Sequence, residues 1–121
     1  CGTENKSEKY LGYFTRFGDE ASDLEPIQHL YKTQVWHLAK ILGIPEKFIT
    51  KKPSAELWAG QSDENELGFS YFDGDKILIE LIDKKTRPEA IKISGISKDI
   101  IGKIIKQVQS QHFKQEAPYH L

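Results

Sequence analysis

Residues 2–32 read GTENKSEKYLGYFTRFGDEASDLEPIQHLYK. The stretch opens on Gly2-Thr3 and places Glu8 where a short helix should be turning. It then runs through Gly12, Tyr13, Phe14, Thr15, Arg16, Gly18, Asp19, Asp23 and Pro26 to Lys32. Acidic, basic and hydroxyl groups recur here among small and aromatic residues, a mixture that a plain core segment does not need. The chemistry is that of a nucleotide site: cations for phosphates, one carboxylate for a metal, hydroxyls and short loops for a sugar or base. Thr3 or Asn5 can cap a helix to about Leu11. Thr3 with Lys6 or Ser7 lacks the Glu or Gln of a capping box. Gly12 suits the helix end, and residues 13–25 read as loop. Leu24 to Ile27 read as a short edge strand, since Pro26 cannot donate to a ladder. Residues 1–4 read as the exit from a β-strand.

Downstream, Tyr31 to Leu42 carries the clearest helical pattern. Val35, Leu38, Ala39 and Leu42 fall at i, i+3, i+4 and i+7 on one apolar face. Gly43 ends it and Pro45 forbids continuation, with a short helical turn from Glu46 to Ile49. Residues 50–68 read as a long polar loop, a length that is often functional. Ser70 caps a second helix to about Ile82, with Asp73 as a box-like partner. Residues 83–96 read as loop or short turns. Ser97 caps a last helix to about Gln111, whose inner stripe is Ile101, Ile104, Ile105 and Val108. The tail from His112 reads as extended.

Bulk properties narrow the class. A chain of 121 residues is one domain or part of one. Its net charge of −1 gives no basic footprint for nucleic acid. Mean hydropathy is −0.54, and no apolar run approaches the ~20 residues of a membrane span. A single cysteine excludes an internal disulfide framework. The chain has no methionine and begins at Cys1, so it reads as processed or excised. Cys1-Gly2-Thr3 would suit the start of an acylated lipoprotein; a fragment of a larger enzyme is the other reading.

The motifs GT-x-NKSE, GYFT-[KR]-[FY]-GD-x(3)-D and P-I-x(2)-L-Y-K-T-Q-V resemble the second half of ammonia-dependent NAD synthetase, of the N-type ATP pyrophosphatase family. The resemblance continues through LAKILGIPEKFI and KKPSAELWAGQSDENELGFSY and, more weakly, to the end. It favours the fragment over the lipoprotein. It implies an α/β, Rossmann-like three-layer fold with a parallel sheet, of which residues 1–121 are the helix-rich carboxyl-terminal portion. Ligands in such folds bind at the carboxyl ends of the strands. The implied reaction makes NAD from nicotinic acid adenine dinucleotide (deamido-NAD), ATP and ammonia through an acyl-adenylate, in a cytoplasmic homodimer.

Each residue carried over has a plainer reading beside it. Glu8 is a helix carboxylate by itself; the resemblance makes it a Mg²⁺ ligand, in keeping with a hard cation shared with phosphates. Thr3 is a helix cap, and the resemblance places it at ATP. Lys32 opens a helix, where a cation opposes the dipole; the resemblance gives it the ATP phosphates, so it serves a ligand and not stability. Ser54 is a turn hydroxyl that the resemblance also places at ATP. Arg16 and Asp23 would make a surface ion pair, and match positions that hold deamido-NAD. The family usually has Lys at the first, and glycines where Glu20 and Ala21 stand. His112 and Lys114 resemble a His-Lys pair that closes over the dinucleotide, though Phe113 separates them here and Pro118 comes later than usual. His29 and His37 lack partners at metal-site spacing. Trp36 reads as packing, and Trp58 as an anchor for the long loop or a partner surface.

The family's Ser-Gly-Gly-x-Asp-Ser phosphate loop is absent. The chain alone is therefore expected to be inactive, and a non-catalytic dimerising module is the alternative to half of an enzyme.

Overall fold

A computed structural model of the chain describes residues 1–54 and 57–116. Among the described residues every regular element is helical. The first helix, α1 (Lys6–Leu11), starts at Asn5, whose side chain accepts from the amides of Ser7 and Glu8. Glu8 reaches back to the Asn5 amide at 3.1 Å. The capping box that Thr3 could not complete is thus completed two residues later by Asn5, with Glu8 at the third helical position. Gly12 closes the helix in the left-handed conformation, φ 66°. Its N–H bonds the Lys9 carbonyl and that of Tyr13 bonds the Glu8 carbonyl, the paired bonds of a Schellman end.

Helix α2 (Lys32–Ile41) and α3 (Glu46–Ile49) follow, separated by Gly43 and Pro45 as the sequence pattern requires. The supposed loop at 50–68 ends in a helix of its own, α4 (Asp63–Leu67). Acidic residues fill its first turn, where the dipole favours them, and Gly68 stops it. Helix α5 (Tyr71–Leu78) is capped by Ser70, then widens into a π-turn at Ile79–Asp83. A 3₁₀ turn occupies Pro88–Ala90, and α6 (Lys98–Gln111) is capped by Ser97.

Two extended readings are corrected. Leu24 to Ile27 form a turn, with bonds from Gln28 N–H to Glu25 O and from Leu30 N–H to Ile27 O. Leu24 O takes the Gly2 amide and Glu25 Oε2 takes the Glu4 amide, and no ladder forms among the described residues. His112–Gln115 is a 3₁₀ continuation of α6 and not an extended tail. Pro118 lies outside the described residues.

The core forms where α1, α5 and α6 converge. Leu11, Ile77, Leu78 and Ile104 are fully buried there, with Tyr71, Ile101 and Val108 beside them. Trp36 packs edge-on to Tyr71 at 6.2 Å and against Phe72 at 5.4 Å. Helix α2 is different: its pattern predicts an inner face, yet Leu38 and Leu42 are exposed and Val35 only half-buried. Periodicity marks a face that can be buried, and nothing among the described residues covers this one.

Candidate functional site

A cleft of about 650 Å³ opens beside the amino-terminal end of α1. Gly2, Thr3 and Glu4 form one wall, Lys32 of α2 another, and Ser54, Leu57 and Trp58 a third. Asp63 and Glu66 of α4 close the floor, and Lys114 enters from the end of the chain. Five of the residues assigned a ligand from sequence therefore meet here: Thr3, Glu8, Lys32, Ser54 and Lys114. Arg16, Asp23 and His112 do not line the cleft. Asp23 and His112 are exposed, and His112 Nε2 lies 3.4 Å from Glu116 Oε1.

The two cations of the cleft are already engaged. Lys32 Nζ donates to Glu8 Oε1 at 2.7 Å, and both side chains are less than one-fifth exposed. The lysine that sequence reasoning treats as a misplaced charge is offset by this carboxylate, so it serves structure as well. Lys114 Nζ donates to the carbonyls of Gly12 (2.6 Å) and Phe14 (3.0 Å). Gln107 and Gln115 donate to the carbonyls of Leu11 and Lys9. Side chains from residues 107–115 thereby bond carbonyls in the last turn of α1 and in the segment that follows it.

The carboxylates outnumber the lysines. Glu4, Glu8, Asp19, Asp63 and Glu66 line the cleft against Lys32 and Lys114. Sequence reasoning missed Asp63, Glu66 and Tyr13. The Tyr71 hydroxyl donates to Asp63 Oδ2 at 3.1 Å, while Asp63 Oδ1 is buried without a partner among the described residues. Burial pushes the Asp63 carboxyl above its ordinary range, against the opposing pull of the Tyr71 hydrogen bond and Lys32. The Tyr13 hydroxyl donates to Glu66 at 3.1 Å. Burial and the neighbouring carboxylates hold the Tyr13 and Tyr71 phenols well above the usual value. The signal for Asp63 and Glu66 was the acid-rich run Ser62 to Glu66, which reads as solvated loop until α4 turns it inward.

Among the described residues no three His, Cys, Asp or Glu side chains are arranged to hold a metal ion. The cleft offers hard oxygen donors one at a time, of which Glu8 faces the Lys32 ammonium. That donor set fits a divalent cation shared with ligand phosphates, and not a cage supplied by this chain alone.

Comparison with known proteins supplies the family. The NAD synthase family model matches residues 1–118. The chain belongs to the NAD synthase family. The NH₃-dependent NAD⁺ synthetase of Methanosarcina mazei is 50% identical over 118 residues, covering 97% of this chain and 46% of that protein. That of Trichlorobacter lovleyi is 47% identical over 117 residues, covering 97% and 43%. Among solved structures, NMN synthetase from Francisella tularensis superposes with a TM-score of 0.77 at 34% identity, covering 99% of this chain and 45% of that one. NH₃-dependent NAD synthetase from Campylobacter jejuni gives 0.70 at 32% identity, covering 99% and 44%. The chain thus spans less than half the length of each of these proteins. Among the described residues no helix is long and apolar enough to cross a membrane.

Proposed function

We propose that this chain builds one side of an ammonia-dependent NAD synthetase site. The observation that carries the reading is the convergence of Thr3, Glu8, Lys32, Ser54 and Lys114, from distant parts of the sequence, on one cleft. The reaction would activate the nicotinate carboxylate of deamido-NAD with ATP, releasing pyrophosphate. Ammonia would then attack the acyl carbon, and AMP would leave. No side chain needs to act as a covalent nucleophile.

In this reading Lys32 serves the ATP phosphates, with the hydroxyls of Thr3 and Ser54 beside them. Arg16, Asp23, His112 and Lys114 serve the dinucleotide. For Lys114 this means giving up the carbonyls of Gly12 and Phe14, or approaching the ligand while still holding them. Glu8 would hold Mg²⁺, which when bound neutralises phosphate charge. The acidic balance of the cleft supports a shared site, because most of the positive charge that two anionic substrates require must come from elsewhere. The whole enzyme would be a cytoplasmic homodimer with a three-layer, parallel-sheet fold, this chain being its helical carboxyl-terminal portion.

Deamido-NAD is preferred over the mononucleotide because the sequence relatives, at up to 50% identity, are named NH₃-dependent NAD⁺ synthetase; the two solved structures, at 34% for the NMN synthetase and 32% for the NAD synthetase, do not separate the substrates. The test is a titration of the ¹⁵N-labelled chain, mixed with the amino-terminal portion of the Methanosarcina mazei relative that this chain does not cover, with MgATP, deamido-NAD and nicotinic acid mononucleotide. Shifts at Thr3, Lys32 and Ser54 with MgATP, and at Lys114 with deamido-NAD more than with the mononucleotide, are expected. No MgATP response in the cleft would sink the reading.

A further inference from the structure

We infer that Ser7 and Asp75 are positioning residues that set where Lys32 stands in the cleft. Neither lines the cleft, and neither is on the helix that carries Lys32. Both are out of water, Ser7 at 0% and Asp75 at 2% exposure. Burying a carboxylate is costly unless its acceptors are filled, and those of Asp75 are filled in an informative way. Oδ1 accepts from the Ser7 hydroxyl at 2.5 Å, and Oδ2 from the Thr33 amide at 2.8 Å. The Ser7 oxygen in turn accepts from the Lys32 amide at 2.8 Å.

These bonds replace a cap. Tyr31, which precedes α2, makes no side-chain cap of its own. The first two free amides of α2 are instead satisfied from α1 and α5. A hydroxyl rotates freely until its proton is committed; Asp75 commits it, and a lone pair is left facing the Lys32 amide. Consecutive residues of α1 then grip Lys32 at both ends. Ser7 holds its backbone nitrogen and Glu8 its ammonium. The place of that charge is set by a buried node behind the cleft, and a small shift of a charged group costs a reaction dearly. The inference rests on the proposed function only for what Lys32 serves.

The experiment uses the 121-residue chain with Ser7→Ala and Asp75→Asn, followed by ¹⁵N spectra of lysine ammonium groups and by amide hydrogen exchange. Glu8→Gln identifies the signature of the Lys32 ion pair. In variants that keep the wild-type spectrum of α6, that signature is expected to be lost. Exchange at Lys32 or Thr33 should quicken about tenfold, the loss of one net hydrogen bond, while α6 exchange is unchanged. An intact pair with unchanged exchange would overturn the inference. So would unfolding of both variants, which would make the node a determinant of the fold and not of one lysine. The MgATP titration is read separately: a chain with the node intact that ignores nucleotide overturns the proposed function and leaves this inference standing.

Discussion

Lys32 Nζ and Glu8 Oε1 stand 2.7 Å apart at the edge of the cleft. The group expected to seek phosphate and the group expected to seek a metal are paired with each other. At the first position of α2 a lysine opposes the helix dipole, and that consideration alone would make its removal harmless. With the pair formed, Lys32→Ala should lower stability by roughly 1 kcal/mol, between the values of exposed and fully buried pairs. Lys32→Glu should be worse, since it sets a carboxylate against Glu8. Urea denaturation of the two variants checks this, and a Lys32→Glu chain more stable than wild type would refute the pairing.

Asn5 carries the start of α1 and, through it, the position of Glu8. Its side chain accepts from the Ser7 and Glu8 amides, each at 3.1 Å. Asn5→Ala should cost about 1 kcal/mol, and Asn5→Ser markedly less. Equal losses in thermal denaturation would show that burial of Asn5, and not capping, is what matters.

Local rules recovered the helices well. Caps at Ser70 and Ser97, the stop at Gly43 and the turn from Glu46 to Ile49 stand where turn chemistry and periodicity put them. The failures were tertiary. Leu24 to Ile27 finds no neighbouring strand among the described residues, and the chain turns there. Helix α4 is five residues long, too short for periodicity to announce. In the site, the family resemblance pointed to Thr3, Glu8, Lys32 and Ser54, which line one cleft. It could not reveal that Ser7 and Asp75, 68 positions apart, share a proton-donating bond. Nor could it show that Lys114 spends its donors on the carbonyls of Gly12 and Phe14.

Gly12 is fixed by two constraints at once. It sits at φ 66°, and a Cβ there would come within 2.3 Å of Gln111 Cβ. A left-handed non-glycine residue costs roughly 1–2 kcal/mol before any clash. Gly12→Ala should therefore destabilise by at least about 2 kcal/mol, and should loosen the Lys114 contacts along with the helix end. Denaturation combined with the Lys114 ammonium signal checks both parts. A loss below about 0.5 kcal/mol would mean that α6 simply shifts away.

Acid should first strengthen the chain and then weaken it. Burial raises the carboxyls of Glu4, Asp63 and Asp75 above their ordinary values of 4.5, 3.8 and 3.8. For such groups the folded state binds protons more tightly than the unfolded state, so folding gains as pH falls. Their contribution is complete below the ordinary values and is lost as pH rises through the raised ones. Asp83 behaves oppositely: its hydrogen bond from Lys6 holds the carboxyl below the ordinary 3.8. Glu80 is likewise lowered, by Lys84 and Thr86. Their contribution is present above the ordinary values and disappears only as pH falls through the lowered ones. As pH falls from neutrality, the raised carboxyls therefore take protons before the lowered ones do. The melting temperature should rise as pH falls from neutrality toward the ordinary carboxylate values, and turn down below them as Asp83 and Glu80 take protons. Asp75→Asn should shrink the rise, because the amide has no charge to neutralise. The measurement is the thermal midpoint at half-unit pH steps for wild type and variant. A midpoint that falls steadily from neutrality would mean that the three buried carboxylates are stabilised as anions, and that their hydrogen bonds outweigh their desolvation.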